Sequence, residues 1–258
     1  MTNDCFVCQG PSKHYSYWKV FEYVQCQNCN LIYLKENPTE EQIYAAYDGG
    51  KLKNLRRKLV SPFRRLEDFK IYEEKMKTTS QIMDIVNQYV SEPGKKMMDI
   101  GCNKGFLLTQ AINRGFIPYG IEIVPVLMDQ FKRKFRQYRN NIYSENFSKV
   151  SSQVEDEYFD VVTAIDVVEH LQNPRDDFNN VFRILKKGGI FLAQTPDNHS
   201  KEAKEEKEHW GALKAYEHLI LFDHKSLELL ADQIGFSKVE YYEPIDKNIG
   251  NMLAVLTK

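Results

Sequence analysis

Residues 97–122 constrain the fold of this chain more than any other segment, because they predict a strand, a tight loop, a helix and a second strand in succession. An apolar run at 97–100 is followed by apolar residues at helical spacing over 106–112. A second apolar run at 117–121 ends directly at Glu122. This order of elements predicts half of a nucleotide-binding α/β fold.

The loop between the first strand and the helix is Gly101-Cys102-Asn103-Lys104-Gly105. Glycine allows positive φ angles and a close approach of ligand to backbone, and the helix N-terminus that follows offers N–H groups to an anion. A carboxylate about 20 residues beyond such a loop binds ribose hydroxyls in these folds, and Glu122 has that place. The loop reads G-x-x-x-G, which differs from the dinucleotide fingerprint G-x-G-x-x-G. A dehydrogenase is therefore a weaker alternative.

The loop resembles motif I of class I S-adenosylmethionine (SAM) methyltransferases, D-x-G-x-G-x-G, with Asn103 at the middle glycine. Asn tolerates left-handed backbone better than most residues, so the substitution is compatible with the motif. The resemblance covers most of residues 75–258: an F-D-x-V…D-V-x-E-H-x-x-x-P segment at 159–174, an L-x-x-G-G turn at 185–189 and W…E-H-x-x-x-F at 210–222. It implies a Rossmann-like sheet of seven mostly parallel strands with helices on both faces.

The resemblance also implies which residues bind SAM. The methionine end would meet Asp99, Gly101, Cys102, Asn103, Lys104 and Gly105, and the ribose hydroxyls would meet Glu122. Ile123 is a further cofactor-binding candidate, the adenine would meet Glu145 or Asn146, and Asp166 and Val167 would touch the cofactor or the acceptor. Cys102 is also open to a simpler interpretation as a small loop residue, and a nucleophilic role is less favoured.

Histidine titrates near neutral pH and can take a proton from an acceptor, which makes His170 and His218 the candidate bases. The segment Tyr216-Glu217-His218 resembles the E-H pair of zinc-ribbon sugar methyltransferases, in which Glu217 would orient the imidazole. His170 fits equally well as a residue that caps a helix or holds a loop. Tyr216 is included in the candidate catalytic set for its place beside this pair.

Two C-x-x-C pairs near the start, Cys5/Cys8 and Cys26/Cys29, are typical of a zinc ribbon with a closed, structural site of four thiolates. Two disulfides are the competing interpretation. Residues 1–4 are polar and lack the apolar core of a secretory signal, so we expect a cytoplasmic, reducing environment and zinc.

Length and composition fit two unequal units in 258 residues. We expect a zinc ribbon at 1–35, a linker and helical cap at 36–92, and a SAM-dependent methyltransferase domain at 93–258 with a lid insertion at about 198–222. The chain contains no apolar run of about 18 residues, so no membrane span is expected. The net charge of −1 gives the whole protein no bias toward nucleic acid, although basic residues crowd a connector at 51–65.

These features together predict a SAM-dependent methyltransferase that acts on oxygen or carbon of a small molecule, with a nucleotide-linked sugar or polysaccharide precursor as the preferred acceptor. An RNA or ribosomal RNA methyltransferase that grips its substrate through the ribbon and the basic connector is the first alternative. A non-catalytic SAM-binding interaction protein is the second.

Overall fold

The computed structural model of this chain describes residues 4–39, 41–42, 64–245 and 250–258, with the backbone alone at 64–69. The basic connector predicted at 51–65 lies outside these residues, except for the backbone of its last two. Two sheets, of four and seven strands, organise the described parts of the chain. Among the described helices, none has the length and apolarity needed to cross a membrane.

The N-terminal module, residues 4–35, is built on an antiparallel meander. Its strands are β1 (Ser12–Trp18), β2 (Phe21–Cys26) and β3 (Ile32–Leu34). The fourth strand of this sheet is β9 (Ile220–Leu221), which lies far along the chain and pairs antiparallel with β3. The N-terminal module therefore completes its sheet with a strand from the segment predicted to be a lid.

The larger sheet is the seven-stranded Rossmann-like sheet that the resemblance implied. Its seven strands are β4 (Lys96–Ile100), β5 (Ile117–Ile121), β6 (Ile142–Tyr143), β7 (Phe159–Ile165), β8 (Leu185–Pro196), β10 (Lys238–Tyr242) and β11 (Asn251–Thr257). They lie in the order β10-β11-β8-β7-β4-β5-β6. Only β11 runs antiparallel to its neighbours in this order. The predicted fold class is confirmed.

Helices accompany the strands as expected for strands that are buried on both faces. They are α1 (Arg64–Tyr89), α2 (Phe106–Asn113), α3 (Asp129–Lys134), α4 (Phe147–Ser151), α5 (Pro174–Ile184), α6 (Lys201–Glu206) and α7 (His224–Ile234). Six of the seven residues of β7 and all residues of β8 from Gly189 to Pro196 are buried, which explains their continuous apolar runs. Asp223 caps α7 by accepting a hydrogen bond from the Ser226 N–H at 2.8 Å, and Gly235 ends that helix at φ 111°.

The order of the strands positions the site. The central strand β4 lies between β5 and β7, and all three run parallel. Their carboxyl ends therefore meet at one edge of the sheet, where ligands bind in open α/β folds. Gly101, Glu122 and Asp166 each follow one of these strands, so three predicted site residues reach the same edge.

The N-terminal module also contacts the rest of the chain through side chains. The Tyr23 hydroxyl donates to the His218 carbonyl at 2.6 Å, and the Arg175 guanidinium donates to the carbonyls of Phe6 and Val7 at 3.0 and 3.1 Å. Asn30 donates to the Asp223 carboxylate at 3.1 Å. The division of the chain at residues 35 and 92 stays a prediction, and these contacts join its first and last parts.

Candidate active site

The glycine loop adopts the left-handed backbone that its sequence predicts. Gly101, Asn103 and Gly105 have φ angles of 72°, 49° and 75°. A Cβ atom on Gly101 would lie 2.6 Å from Cγ2 of Val167, and one on Gly105 would lie 2.6 Å from the Phe131 ring. Both glycines are therefore required by backbone angle and by space, whereas Asn103 holds its positive φ with a side chain that tolerates it.

The Glu122 carboxylate lies against this loop. One oxygen accepts the Asn103 N–H at 3.0 Å, and the other accepts the Val124 N–H at 2.8 Å. Because a carboxylate oxygen has more than one lone pair, both oxygens can accept a further hydrogen bond. Ile123, the next residue, is 69% exposed at the same edge. The structure thus brings the predicted ribose-binding carboxylate into direct contact with the predicted methionine-binding loop.

Asp99, two residues before the loop, and Cys102, within the loop, are both buried. Asp99 accepts a hydrogen bond from the Thr163 hydroxyl at 2.7 Å, and burial raises the pKa of this carboxyl to about 7. The Cys102 thiol lies 3.6 Å from the Met128 sulfur, and burial raises its pKa far above the usual range. A thiol that stays protonated is a poor nucleophile, which supports the interpretation of Cys102 as a small loop residue.

The residues predicted to meet adenine have local structural contacts. The Asn146 side-chain oxygen caps α4 by accepting the Lys149 N–H at 2.9 Å. Glu145 forms an ion pair with the Lys149 ammonium at 2.8 Å, and both side chains are half exposed. Neither contact prevents a further hydrogen bond, so the adenine assignment stays a prediction.

The segment after β7 connects the loop to the predicted catalytic residues. Asp166 has a φ of 54° and accepts a hydrogen bond from the Gln194 amide at 3.0 Å. Val167 packs toward Gly101. Glu169 and His170 follow in a short 3₁₀ turn, Val168–His170. This turn therefore begins against the glycine loop.

The structure brings the two predicted base histidines together. Their ring centroids lie 5.1 Å apart. His170 Nδ1 bonds to the Glu217 carbonyl at 2.5 Å, and His218 Nδ1 bonds to the Ala212 carbonyl at 2.7 Å. The carbonyl of Ala212, rather than the Glu217 side chain, thus orients His218. Burial, followed by the charge of His170, lowers the pKa of His218 to about 4, so this imidazole is neutral at pH 7.

Tyr216 lies at the boundary between this group and the N-terminal module. Its ring makes edge contacts with Trp18 and Phe21, at centroid distances of 5.2 and 5.3 Å. The Lys19 ammonium lies 5.1 Å from the same ring. These contacts indicate a packing role for Tyr216, and its predicted catalytic role stays untested.

Glu169, a buried residue next to His170, belongs to the E-H segment of the sequence but not to the predicted functional residues. Glu169 is 2% exposed, accepts the Thr195 hydroxyl at 2.9 Å, and has an oxygen 3.9 Å from Nε2 of His170. Burial raises the pKa of Glu169 to about 7. The sequence signal that could have identified Glu169 is its place beside a histidine just after a buried strand.

The four paired cysteines converge in the N-terminal module. Their sulfur atoms all lie within 4.8 Å of one another, with Cys5–Cys29 at 3.6 Å and Cys8–Cys26 at 3.3 Å. A disulfide has an S–S distance of about 2.05 Å. Four sulfurs that bind one zinc ion tetrahedrally, each at about 2.3 Å, lie roughly 3.5 to 4 Å from one another. The N–H groups of Gly10 and Asn28 point to Cys8 and Cys26 at 3.4 Å each. This donor set fits a metal ion.

The sheet order, the glycine loop and the carboxylate at its side define a Rossmann-like domain of the kind that binds a nucleoside-containing cofactor. Residues 72–241 match the family described as "Methyltransferase domain". This match covers more than half of the chain, and the chain belongs to that family.

Curated relatives and solved structures agree with this membership. The chain is 28% identical over 118 residues to a ubiquinone biosynthesis O-methyltransferase of Pseudomonas fluorescens, covering 45% of this chain and 50% of that protein. A Coxiella burnetii protein of the same name is 25% identical over 116 residues, with the same coverage. The chain therefore spans about half the length of the curated relatives it matches.

The fold has solved counterparts. A SAM-dependent methyltransferase from Archaeoglobus fulgidus superposes with a TM-score of 0.56 at 16% identity, covering 74% of this chain and 99% of that one. The YcgJ protein of Bacillus subtilis gives a TM-score of 0.54 at 13% identity, covering 70% and 97%. At these identities the likeness concerns the fold alone.

Proposed function

We propose that this protein transfers a methyl group from SAM to an oxygen or carbon atom of a small molecule. The observation that carries the proposal is the contact between Glu122 and the glycine loop, within a chain that belongs to a methyltransferase family. This contact forms one continuous polar edge from the predicted methionine end to the predicted ribose end. The O-methyltransferase relatives favour oxygen as the acceptor atom.

Bound SAM would supply an activated methyl group, so the protein mainly has to position and desolvate the reactants. Residues 99–105 would hold the methionine end, and Glu122 would accept hydrogen bonds from the ribose hydroxyls. Ile123 offers an exposed apolar side chain beside that carboxylate for the adenine. Glu145, Asn146, Asp166 and Val167 complete the proposed cofactor site.

The acceptor would lie beside the two histidines. His170 follows β7 in a turn that begins against the glycine loop through Val167, and the His218 ring lies 5.1 Å from the His170 ring. An acceptor there can reach a methyl group held by the loop. The neutral His218 imidazole has a nitrogen lone pair available on the side opposite its bond to Ala212. A nucleotide-linked sugar is the proposed acceptor class, in a cytoplasmic setting.

The N-terminal module would hold a structural zinc ion through Cys5, Cys8, Cys26 and Cys29. The separations of the sulfurs and the N–H groups directed at them support this assignment. Four thiolates leave no open position, so such an ion stabilises the fold and does not take part in the transfer.

A labelling experiment tests the proposal. Purified protein is incubated with methyl-tritiated SAM and a host extract separated by size, with and without ribonuclease. We expect label in the small-molecule fraction. Ribonuclease-sensitive label in the large fraction would favour the RNA methyltransferase, and no transfer to any fraction would favour the SAM-binding interaction protein.

Two variants separate binding from turnover in the same assay. Glu122→Ala should weaken SAM binding roughly tenfold, as expected when hydrogen bonds to a charged group are lost. His218→Ala should lower turnover more than SAM affinity. Unchanged SAM affinity in Glu122→Ala would remove the ribose assignment, and equal turnover in His218→Ala would remove that histidine from the reaction.

A further inference from the structure

Glu169, His170 and His218 form a second group with the composition of a metal site, separate from the four cysteines. One ligand atom from each of the three residues lies within 4.8 Å of the other two. Glu169 and His218 are buried, whereas the His170 side chain is 35% exposed. Of the three side chains, His170 is the one that solvent reaches.

The hydrogen bonds of the two histidines fix which nitrogen faces the group. A carbonyl oxygen can only accept, so each Nδ1 atom that bonds to a carbonyl must carry the hydrogen: His170 to Glu217 and His218 to Ala212. In a neutral imidazole the lone pair then lies on Nε2. Histidines that ligate metals are commonly held in this way, by donating their other ring N–H to a carbonyl.

The Glu169 carboxylate is also held by a hydrogen bond, which leaves one of its oxygens facing His170. The Thr195 hydroxyl donates to one of its oxygens at 2.9 Å, and the other oxygen lies 3.9 Å from Nε2 of His170. Two ligands of one ion, at bonds of about 2.1 Å, lie about 3 to 4 Å apart. The Glu169–His170 separation is already in that range.

We propose that Glu169, His170 and His218 hold a divalent transition-metal ion beside the methyl-donor site, and that this ion binds the hydroxyl oxygen of the acceptor. Two imidazoles and one carboxylate leave positions open for a substrate oxygen. The inference rests on the proposed function, and it assigns His218 as a ligand rather than as the base.

The ion would make the acceptor a better nucleophile. An oxygen bound to a divalent ion loses its proton at lower pH, and the proton passes to solvent. The lone pair of that oxygen forms the new bond to the methyl carbon, while the carbon–sulfur bond of SAM breaks and its electrons stay on sulfur. The products are the methyl ether and neutral S-adenosylhomocysteine, so charge and atoms balance.

Binding of Mn²⁺ to the zinc-loaded full chain tests the site without SAM or acceptor. Mn²⁺ prefers oxygen and imidazole over thiolate, so it reports this group rather than the four cysteines. We expect one Mn²⁺ per chain by electron paramagnetic resonance titration. Glu169→Gln and His170→Ala should each weaken binding at least about tenfold. His209→Ala, which removes a histidine side chain that is 86% exposed, should bind Mn²⁺ like the parent.

The outcomes separate this inference from the proposed function. Failure of the parent to bind Mn²⁺, or equal binding by Glu169→Gln and the parent when both are folded by circular dichroism, overturns the site. Methyl transfer that continues unchanged after this ion is removed, with zinc retained, overturns its role in the reaction. Mn²⁺ binding without any methyl transfer supports the site and counts against the proposed function alone.

Discussion

Tyr23→Phe tests whether the N-terminal module positions His218. The Tyr23 side chain is fully buried, and its hydroxyl donates to the His218 carbonyl at 2.6 Å. Removing the hydroxyl leaves that carbonyl buried without this donor, which costs about 1 to 3 kcal/mol. A central value of about 2 kcal/mol corresponds to a fall in melting temperature of roughly 4 to 8 °C for a chain of this size.

The same change should lower turnover, because the carbonyl belongs to the residue whose imidazole lies at the proposed acceptor position. A displacement of about 1 Å can cost as much as a hundredfold in rate, so we expect a loss of about tenfold in kcat. SAM affinity, measured by titration calorimetry, should stay unchanged because Tyr23 contacts the His218 segment (residues 210–222) and not the glycine loop.

Tyr33→Phe is the matched control. Its hydroxyl bonds to the Ser12 hydroxyl at 2.9 Å, within the N-terminal module itself. The same chemical change in the same small sheet should therefore leave kcat at the parent value. If Tyr23→Phe unfolds at the parent temperature and turns over at the parent rate, or if both variants lose activity equally, the positioning argument is wrong.

Three further predictions follow from local geometry. Gly101→Ala should impair SAM binding and destabilise the fold more than Gly94→Ala. Both glycines have positive φ, but the new Cβ at Gly101 would lie 2.6 Å from Val167 Cγ2, whereas the one at Gly94 has no atom within 4 Å. An equal loss of unfolding free energy in the two variants, measured by denaturant unfolding, would contradict this. A chelator should release one zinc ion per chain and lower the melting temperature of the protein. By elemental analysis, Cys29→Ser should not retain zinc, whereas Cys102→Ser should retain it. Zinc retained by Cys29→Ser would exclude the four-cysteine site. Asp99 has its folded pKa raised from 3.8 to about 7, so it favours folding at low pH and that contribution is lost as pH rises from 4 to 7. Asp99→Asn should therefore gain stability over the parent across that window, by up to about 4 kcal/mol at 1.36 kcal/mol per pKa unit, and a constant difference in unfolding free energy between pH 4 and pH 8 would disprove the linkage.

Local signals in the sequence were sufficient for two adjacent strands of the large sheet and the helix between them, whereas the seven-stranded architecture followed from the family resemblance. Apolar runs of strand length, glycines at turns and a carboxylate after the second strand all lie within 97–122, and the structure has each element there. The positive φ of Asn103 also agrees with the prediction from its residue type. The same kind of signal identified the histidine beside Glu169.

The fourth strand of the small sheet and the contacts of the two histidines depend on residues that are far apart in sequence. Nothing local shows that Ile220 pairs with Tyr33, or that the Ala212 carbonyl holds His218. The strand β9 is two residues long, too short for a periodic pattern. Glu169 became a candidate only when the fold placed His218 next to it, because one carboxylate beside one histidine is common on protein surfaces.

The pairing of β3 with β9 has a consequence for how this protein is made. Between the synthesis of Tyr23 and that of His218 the ribosome adds 195 residues, which takes about 10 to 40 s at 5 to 20 residues per second. During that time the first three strands have an open edge, and such edges are prone to pair with other chains. Metal captured early by the cysteines would keep this small sheet in one register until its last strand leaves the ribosome.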